Sequence, residues 1–342
     1  MTDKYDFGTR VTFTPDENYK FGKQPRRLRL VTLRGLSMGG HYMVRAVVPV
    51  SLDLEELNKG IKLTLDIVED QMSVFKPDSS LMQFNRHNVG EWFGLPPEMT
   101  DVFDIALEVG KLSEGALDIT LSRLIELWGF GAGDKPENIP HADDLVAIKA
   151  VTGHQHLKFD KAGRRIMKTS ACEVSLNAVA KGYAVDLVDE YLKSQAIEDF
   201  VIEVAGEIKT AGQKPDGTKW RVAIEKPLSG VSTTQQILSL SDVAIATSGD
   251  YRKYFEHDGA RFSHVIDPKT QKPIKHKLAA VTVVAATSAR ADALATAMLV
   301  MGEGGAVEFA EQNAIAAYFI VKNAQGFEVR LSSDMPSYLE RL

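Results

Sequence analysis

The chain has 342 residues with 40 Lys and Arg against 46 Asp and Glu, a formal net charge of −6 that offers no general attraction to nucleic acid or to an anionic membrane. Its length leaves room for one large domain or two ordinary ones, and its composition excludes a disordered, collagenous or coiled-coil chain. Cys172 is the only cysteine, which rules out an intramolecular disulfide, argues against a cysteine-based zinc site and suits a reducing compartment.

Residues 1–30 are polar and without a clear period, and are read as an extension lying over the surface or partly mobile. The run Arg26-Arg27-Leu28-Arg29 is a local, solvated stretch. The first residues lack the apolar core of a secretory signal, and no later segment reads as a membrane helix. The expectation is a soluble cytoplasmic protein with no transmembrane segment, or a periplasmic one if the chain is a processed or trimmed form. His41 to Val50 reads as a strand, and Leu52 to Val74 as a long amphipathic helix carrying Leu54, Leu57, Ile61, Leu65, Val68 and Met72 at helical spacing. A second helix is expected from Thr100 to Ser113. Gly129, Gly131 and Gly133 with Pro136 and Pro140 mark a loop before a polar stretch from His141 to Thr169. A third helix follows from Val179 to Lys193. Beyond it the pattern is mainly β, in the segments 200–208, 220–225, 236–246, 279–285 and 314–321, interrupted by helices at 289–301 and 306–312. Helices and strands are grouped more than they alternate, which favours an α+β fold over a doubly wound parallel sheet.

Four segments could carry chemistry. Asp292 and Thr296 stand one turn apart on the same helix face, an oxygen pair that suits Mg²⁺. The same spacing also suits a carboxylate complementing a helix dipole and a Thr bonded to its own backbone. Asn177-Ala178-Val179-Ala180-Lys181-Gly182-Tyr183 puts small residues and a lysine at a helix start, fit for an anion or simply for close helix packing. Thr247-Ser248-Gly249-Asp250 precedes Tyr251 to Phe255 and reads as another helix start or an ordinary N-cap. Ser263-His264-Val265-Ile266-Asp267-Pro268 ends a strand with a histidine able to accept a proton or to serve as a structural hydrogen-bonding group. His154 and His156 could share a strand face but make a weak metal site by themselves. The chain has no zincin motif, no nucleophile elbow and no paired-cysteine redox motif, and its glycine run at 129–133 falls short of the dinucleotide fingerprint.

Taken in order, these segments resemble the ApbE family of FAD-dependent FMN transferases. The resemblance is carried by Ser37 to Gly40, Met72 to Ser79, Gly115 to Thr120, Leu127 to Gly131, Ser175 to Asp186, Glu203 to Ile208, Ala246 to Phe255, His264 to Pro268 and Ala291 to Ala297. It implies an α+β fold of the ApbE type, T-fold-like, with mixed sheets, packed helices and an active site in a cleft between two lobes. It also implies a single transferase domain over residues 31–342 after the extension. Carried over by position, Met38, Phe75, Ala116, Leu117, Asp118, Ser175, Lys181, Ile266 and Ser248 would contact FAD. Asp292, Thr296 and the carbonyl of Ala178 would hold one or two Mg²⁺ ions, and His264 with Lys181 would serve catalysis. The chain departs from the family's usual pattern at Ser175, where aspartate is common, at Asn177-Ala178 for Gly-Gly, at Phe75 for tyrosine, and at Ala295, where some members are acidic.

The implied reaction attaches FMN from FAD through a phosphoester to a threonine of an acceptor flavoprotein and releases AMP. FAD hydrolysis to FMN and AMP would use the same residues, and a non-catalytic flavin-binding module is the alternative from outside enzymology.

Overall fold

The structure is a computed structural model and describes residues 11–13, 28–131, 139–227, 233–251, 254–257 and 259–340. Most of the expected N-terminal extension, Gly133 and Pro136 of the expected glycine loop, and Arg252 and Lys253 lie outside the described residues; the described part of that extension is not a surface arm, since Val11–Phe13 pairs with Trp220–Glu225 and Leu28 to Leu30 pair with Val47 to Pro49.

Eight strands form the central sheet: Leu28–Ser37, Gly40–Pro49, Phe200–Val204, Glu207–Ala211, Ala244–Gly249, Leu278–Ala285, Ala316–Asn323 and Gly326–Leu331. Their order across the sheet is their order in the chain, and every neighbouring pair is antiparallel. The sheet is therefore a meander whose connections have been expanded by insertions. The largest, between Pro49 and Phe200, holds α1 (Leu54–Met72), α2 (Ser80–Arg86), α3 (Pro97–Leu112), α4 (Ser122–Leu127), α5 (Ala142–Lys149), a three-stranded sheet and α6 (Asn177–Ser194). The connection from Ala285 to Ala316 holds α7 (Ser288–Gln312).

The period of two along each strand divides the core. Alternate residues such as Ala246, Val281, Val283, Ala317 and Phe319 pack against the apolar stripes of α1, α3, α6 and α7. The intervening residues Ile245, Ala280, Val284, Tyr318 and Ile320 pack on the other face. There Trp220, Val222, Ile224, Leu238 and Leu240 come from a second sheet formed by Val11–Phe13, Trp220–Glu225 and Thr234–Leu240. The expected α+β class and packed helices are what the structure shows.

Several expected boundaries move. The segment 200–208 is two strands, because Ala205 and Gly206 turn at positive φ (50° and 104°) and return the chain as a two-residue hairpin. The segment 236–246 likewise breaks at Asp242, whose φ is 59°. Thr247-Ser248-Gly249 starts no helix: these residues end a strand paired with Ala280 to Thr282, and Tyr254–His257 is itself a strand. His154 and His156 share a 3-10 turn, not a strand face. The two helices expected at 289–301 and 306–312 run together across a kink at Gly302, whose φ of 76° an L-residue adopts only with strain. Contrary to expectation, α7 is long and apolar enough to cross a membrane by length and composition, with a mean hydropathy of 1.3 over its most apolar stretch. Its residues are spent instead on α6, α3 and the central sheet, and 56% of that stretch is buried inside the protein.

Candidate active site

Two hairpin tips and two helix starts meet at one end of the sheet. The first tip is Met38-Gly39, both at positive φ (54° and 72°), as a two-residue turn between twisted strands requires. A methionine in the left-handed region is strained, and its N–H is held at 2.7 Å by the Oε1 atom of Glu69 on α1. The second tip is Ala205-Gly206, and Ala205 donates its N–H to the His41 carbonyl at 3.0 Å. Both tips border a cavity of about 590 Å³, a size suited to a nucleotide-class ligand. Met38, Phe75, Ala116, Leu117, Asp118, Ser175, Ala178, Lys181, Ser248, His264, Ile266, Asp292 and Thr296 all line it.

The polar wall is built where α6 meets α7. Gly182 makes the approach possible: a Cβ there would stand 2.3 Å from the Ser288 carbonyl oxygen. Asp186 then accepts the N–H groups of Ser288 and Ala289, so the two helix starts are tied together. Burial pushes the Asp186 carboxyl up to about 6. This junction sets Lys181 of α6 beside Asp292 of α7, with Nζ 3.7 Å from Oδ2. Asp292 is 2% exposed, stands in the second turn of α7 and accepts the Gly182 N–H at 3.3 Å. It therefore does not act as a first-turn partner of the helix dipole. One turn on, the Thr296 hydroxyl lies 3.0 Å from that of Ser248, which reaches the site from the end of a strand.

A carboxylate, a hydroxyl and the carbonyl of a small residue are hard oxygen donors, the set Mg²⁺ takes when substrate and water complete its shell. Among the described residues no three His, Cys, Asp or Glu side chains cluster as metal ligands.

His264, also on the cavity lining, follows the strand Ala260–Ser263, and Ile266 begins the short strand Ile266–Asp267. Phe130 meets the imidazole edge-on, with centroids 6.2 Å apart. Phe130 is also the end of a run of aromatic contacts through Phe255 and Phe262 to Trp128. Asp267, the neighbour of Ile266, does not join the site: its carboxylate accepts Lys269 N–H and the Thr270 hydroxyl and closes a turn. Asp118 uses one oxygen to hold both the N–H and the hydroxyl of Thr120 at 2.9 and 2.7 Å. Ser175 is fixed by its N–H to the Ile119 carbonyl at 2.8 Å, which brings the Asp118 loop and the start of α6 together. Phe75 remains 48% exposed at the rim.

Sequence reasoning did not single out Glu69, Phe130, Ala205 or Glu207. Glu207 is fully buried and ion-pairs with Lys181. Phe130, Ala205 and Glu207 fall in the resemblance segments Leu127 to Gly131 and Glu203 to Ile208 but were given no role there, and Glu207 stands one position beyond Gly206. Glu69 carried no comparable signal, since it looks ordinary on a helix face.

A fixed ammonium, a buried carboxylate with hydroxyls beside it and an imidazole on the same cavity lining give this cavity the chemistry of a site for a phosphate-bearing ligand. The sequence profile described as the ApbE family matches residues 38–319. The FAD:protein FMN transferase of Vibrio cholerae is 41% identical over 313 residues, covering 91% of this chain and 93% of that protein. The solved structure of the flavin transferase ApbE from Vibrio cholerae superposes with a TM-score of 0.84 at 39% identity, covering 91% of this chain and 100% of that one. That of the Pseudomonas stutzeri flavinyl transferase ApbE, in its apo form, gives 0.85 at 37% identity over 92% and 98%. The chain belongs to the ApbE family.

Proposed function

We propose that this protein is a FAD:protein FMN transferase, a transferase that moves the FMN half of FAD onto a threonine hydroxyl of an acceptor flavoprotein and releases AMP. The observation that carries the reading is the convergence in one cavity of Lys181, the Asp292–Thr296 face of α7 and His264. Residues 31–342 are taken as the transferase domain, joined by Val11–Phe13 and Leu28 to Leu30 from the stretch before it.

FAD enters as substrate, with Phe75 and Met38 giving apolar and stacking contact at the rim and Asp118 and Ser175 orienting the nucleotide. Lys181 places a positive charge where negative charge builds on the transferring phosphoryl group. Asp292, Thr296 and the Ala178 carbonyl would hold Mg²⁺, one ion or two, which when bound supplies further charge neutralisation to the phosphates. His264 accepts the proton of the incoming threonine hydroxyl. The threonine oxygen bonds to the FMN-side phosphorus as the bond from that phosphorus to the bridging oxygen breaks. The electron pair leaves with AMP, and FMN remains on the acceptor as a phosphoester.

The test is incubation with FAD, Mg²⁺ and an acceptor protein, followed by a denaturing gel and mass spectrometry. A fluorescent acceptor band bearing an FMN adduct on threonine is the expected result. Free FMN and AMP without an adduct would replace transfer by hydrolysis, and bound FAD without AMP would leave a flavin-binding module.

A further inference from the structure

Lys181 stands between two buried carboxylates of opposite origin. Asp292 comes from α7, with its Oδ2 3.7 Å from Nζ, while Glu207 comes from the central sheet and grips the same ammonium directly through Oε1. Glu207 is the first residue after the Ala205-Gly206 turn, paired with Val204, and so faces the helices. It is 0% exposed and its Oε2 has no hydrogen-bond partner. A buried carboxylate in that condition is tolerable only while its counter-ion stays in place. The Lys181 side chain is 21% exposed and reaches the cavity from the Glu207 side.

The ammonium is shared unequally: it touches Glu207 directly and stands 3.7 Å from Asp292. Were Glu207 neutral, the lysine would have Asp292 as its remaining partner, and an ammonium seated there would compete with any other cation for that carboxylate. We propose that Glu207 is a positioning residue: by anchoring Lys181 it holds the ammonium back from direct hydrogen-bond contact with Asp292, so that the cavity can hold a divalent cation and a fixed lysine side by side. This rests on the reading of Asp292 and Thr296 as cation ligands under Proposed function. It adds a role for a sheet residue that touches neither substrate nor cation.

The experiment titrates the full chain, without FAD, with Mn²⁺ as a probe for Mg²⁺, following free Mn²⁺ by electron paramagnetic resonance. Glu207→Gln is isosteric and should weaken Mn²⁺ binding about tenfold, the low end for loss of an outer partner of a metal site. Glu207→Asp keeps the charge but withdraws it by one methylene, and serves the same comparison if the amide variant does not fold. The deciding variant adds Lys181→Met to Glu207→Gln: with the competing ammonium gone, Mn²⁺ affinity should return to the parent value or exceed it. A structural defect would not be rescued by losing a second polar group. The proposal is overturned if the Glu207 variants bind Mn²⁺ like the parent, or if removing Lys181 restores nothing. A parent that binds no Mn²⁺, or an Asp292→Asn variant that binds it undiminished, would instead overturn the cation-site reading and the proposal with it.

Discussion

The Asp186 carboxylate on α6 accepts the backbone N–H groups of Ser288 and Ala289 at 2.8 Å each and caps α7 from a neighbouring helix. Thr287, at the N-cap position, makes no side-chain capping bond of its own, so the orphan donors of this helix start depend on Asp186. Asp186→Ala is expected to cost about 1–2 kcal/mol, measured by urea denaturation. It should also weaken divalent cation binding, because the same bonds fix where Asp292 stands.

The closeness of α6 and α7 depends on Gly182. Its substitution by alanine drives a methyl group against the Ser288 backbone carbonyl, which has no flexible end to yield. Gly182→Ala should destabilise the fold by about 1–3 kcal/mol, as overpacking does. Thermal melting checks this, and a melt within a degree of the parent would show that the helices can part without cost.

Asp292→Asn preserves size and removes charge. If Asp292 holds Mg²⁺ as proposed, this should lower flavin transfer by on the order of 100-fold at fixed Mg²⁺, with partial recovery as Mg²⁺ is raised. Because Asp292 is buried and accepts the Gly182 N–H, melting should be followed in parallel; a fall in transfer with an unchanged melt separates the ligand from the strut.

His264→Ala should slow transfer by about 10²–10⁴-fold, the usual worth of a general base, while leaving FAD affinity nearly unchanged. Transfer rate at saturating FAD and FAD binding by fluorescence quenching read the two effects. Equal turnover in variant and parent would remove the imidazole from the reaction.

Glu203 lies on the opposite face of the sheet from Glu207, beside Met43 and Ile208 in the strand register. Burial, with the negative charges of Glu207 and Glu225, raises its carboxyl from 4.5 to about 8. The folded chain thus holds a proton that the unfolded chain releases near pH 4.5, and stability falls as pH rises between 4.5 and about 8. Glu203→Gln should flatten that slope. Urea denaturation at pH 5 and pH 9 should show the variant gaining on the parent at the higher pH, by on the order of 4 kcal/mol.

Much of the fold was legible because burial writes a period into the chain. The stripe from Leu57 to Met72 found its helix within two residues at either end. So did the strand that is Gly40–Pro49. Turns made without Asn or Asp were harder: Ala205-Gly206 hides in an apolar run, since alanine carries no sign of the left-handed conformation it is made to adopt. The strand Ala244–Gly249 was missed as a unit for the opposite reason, because Ser248, Gly249 and Asp250 look locally like a cap and only pairing with Ala280 to Thr282 makes them a strand.

The sequence by itself determined the α+β class, the family resemblance and the identity of side chains able to meet a phosphate and a cation, because residue type and order survive without a fold. It could not say that α6 and α7 touch at Gly182, that Asp186 caps a helix 100 residues away, or that Glu207 reaches across from the sheet to take Lys181. Those contacts join residues far apart in the chain, and they exist only once the meander has folded and its helices have been pressed onto one face. Which carboxylate grips the lysine directly and which stands back from it was therefore decided by tertiary packing alone.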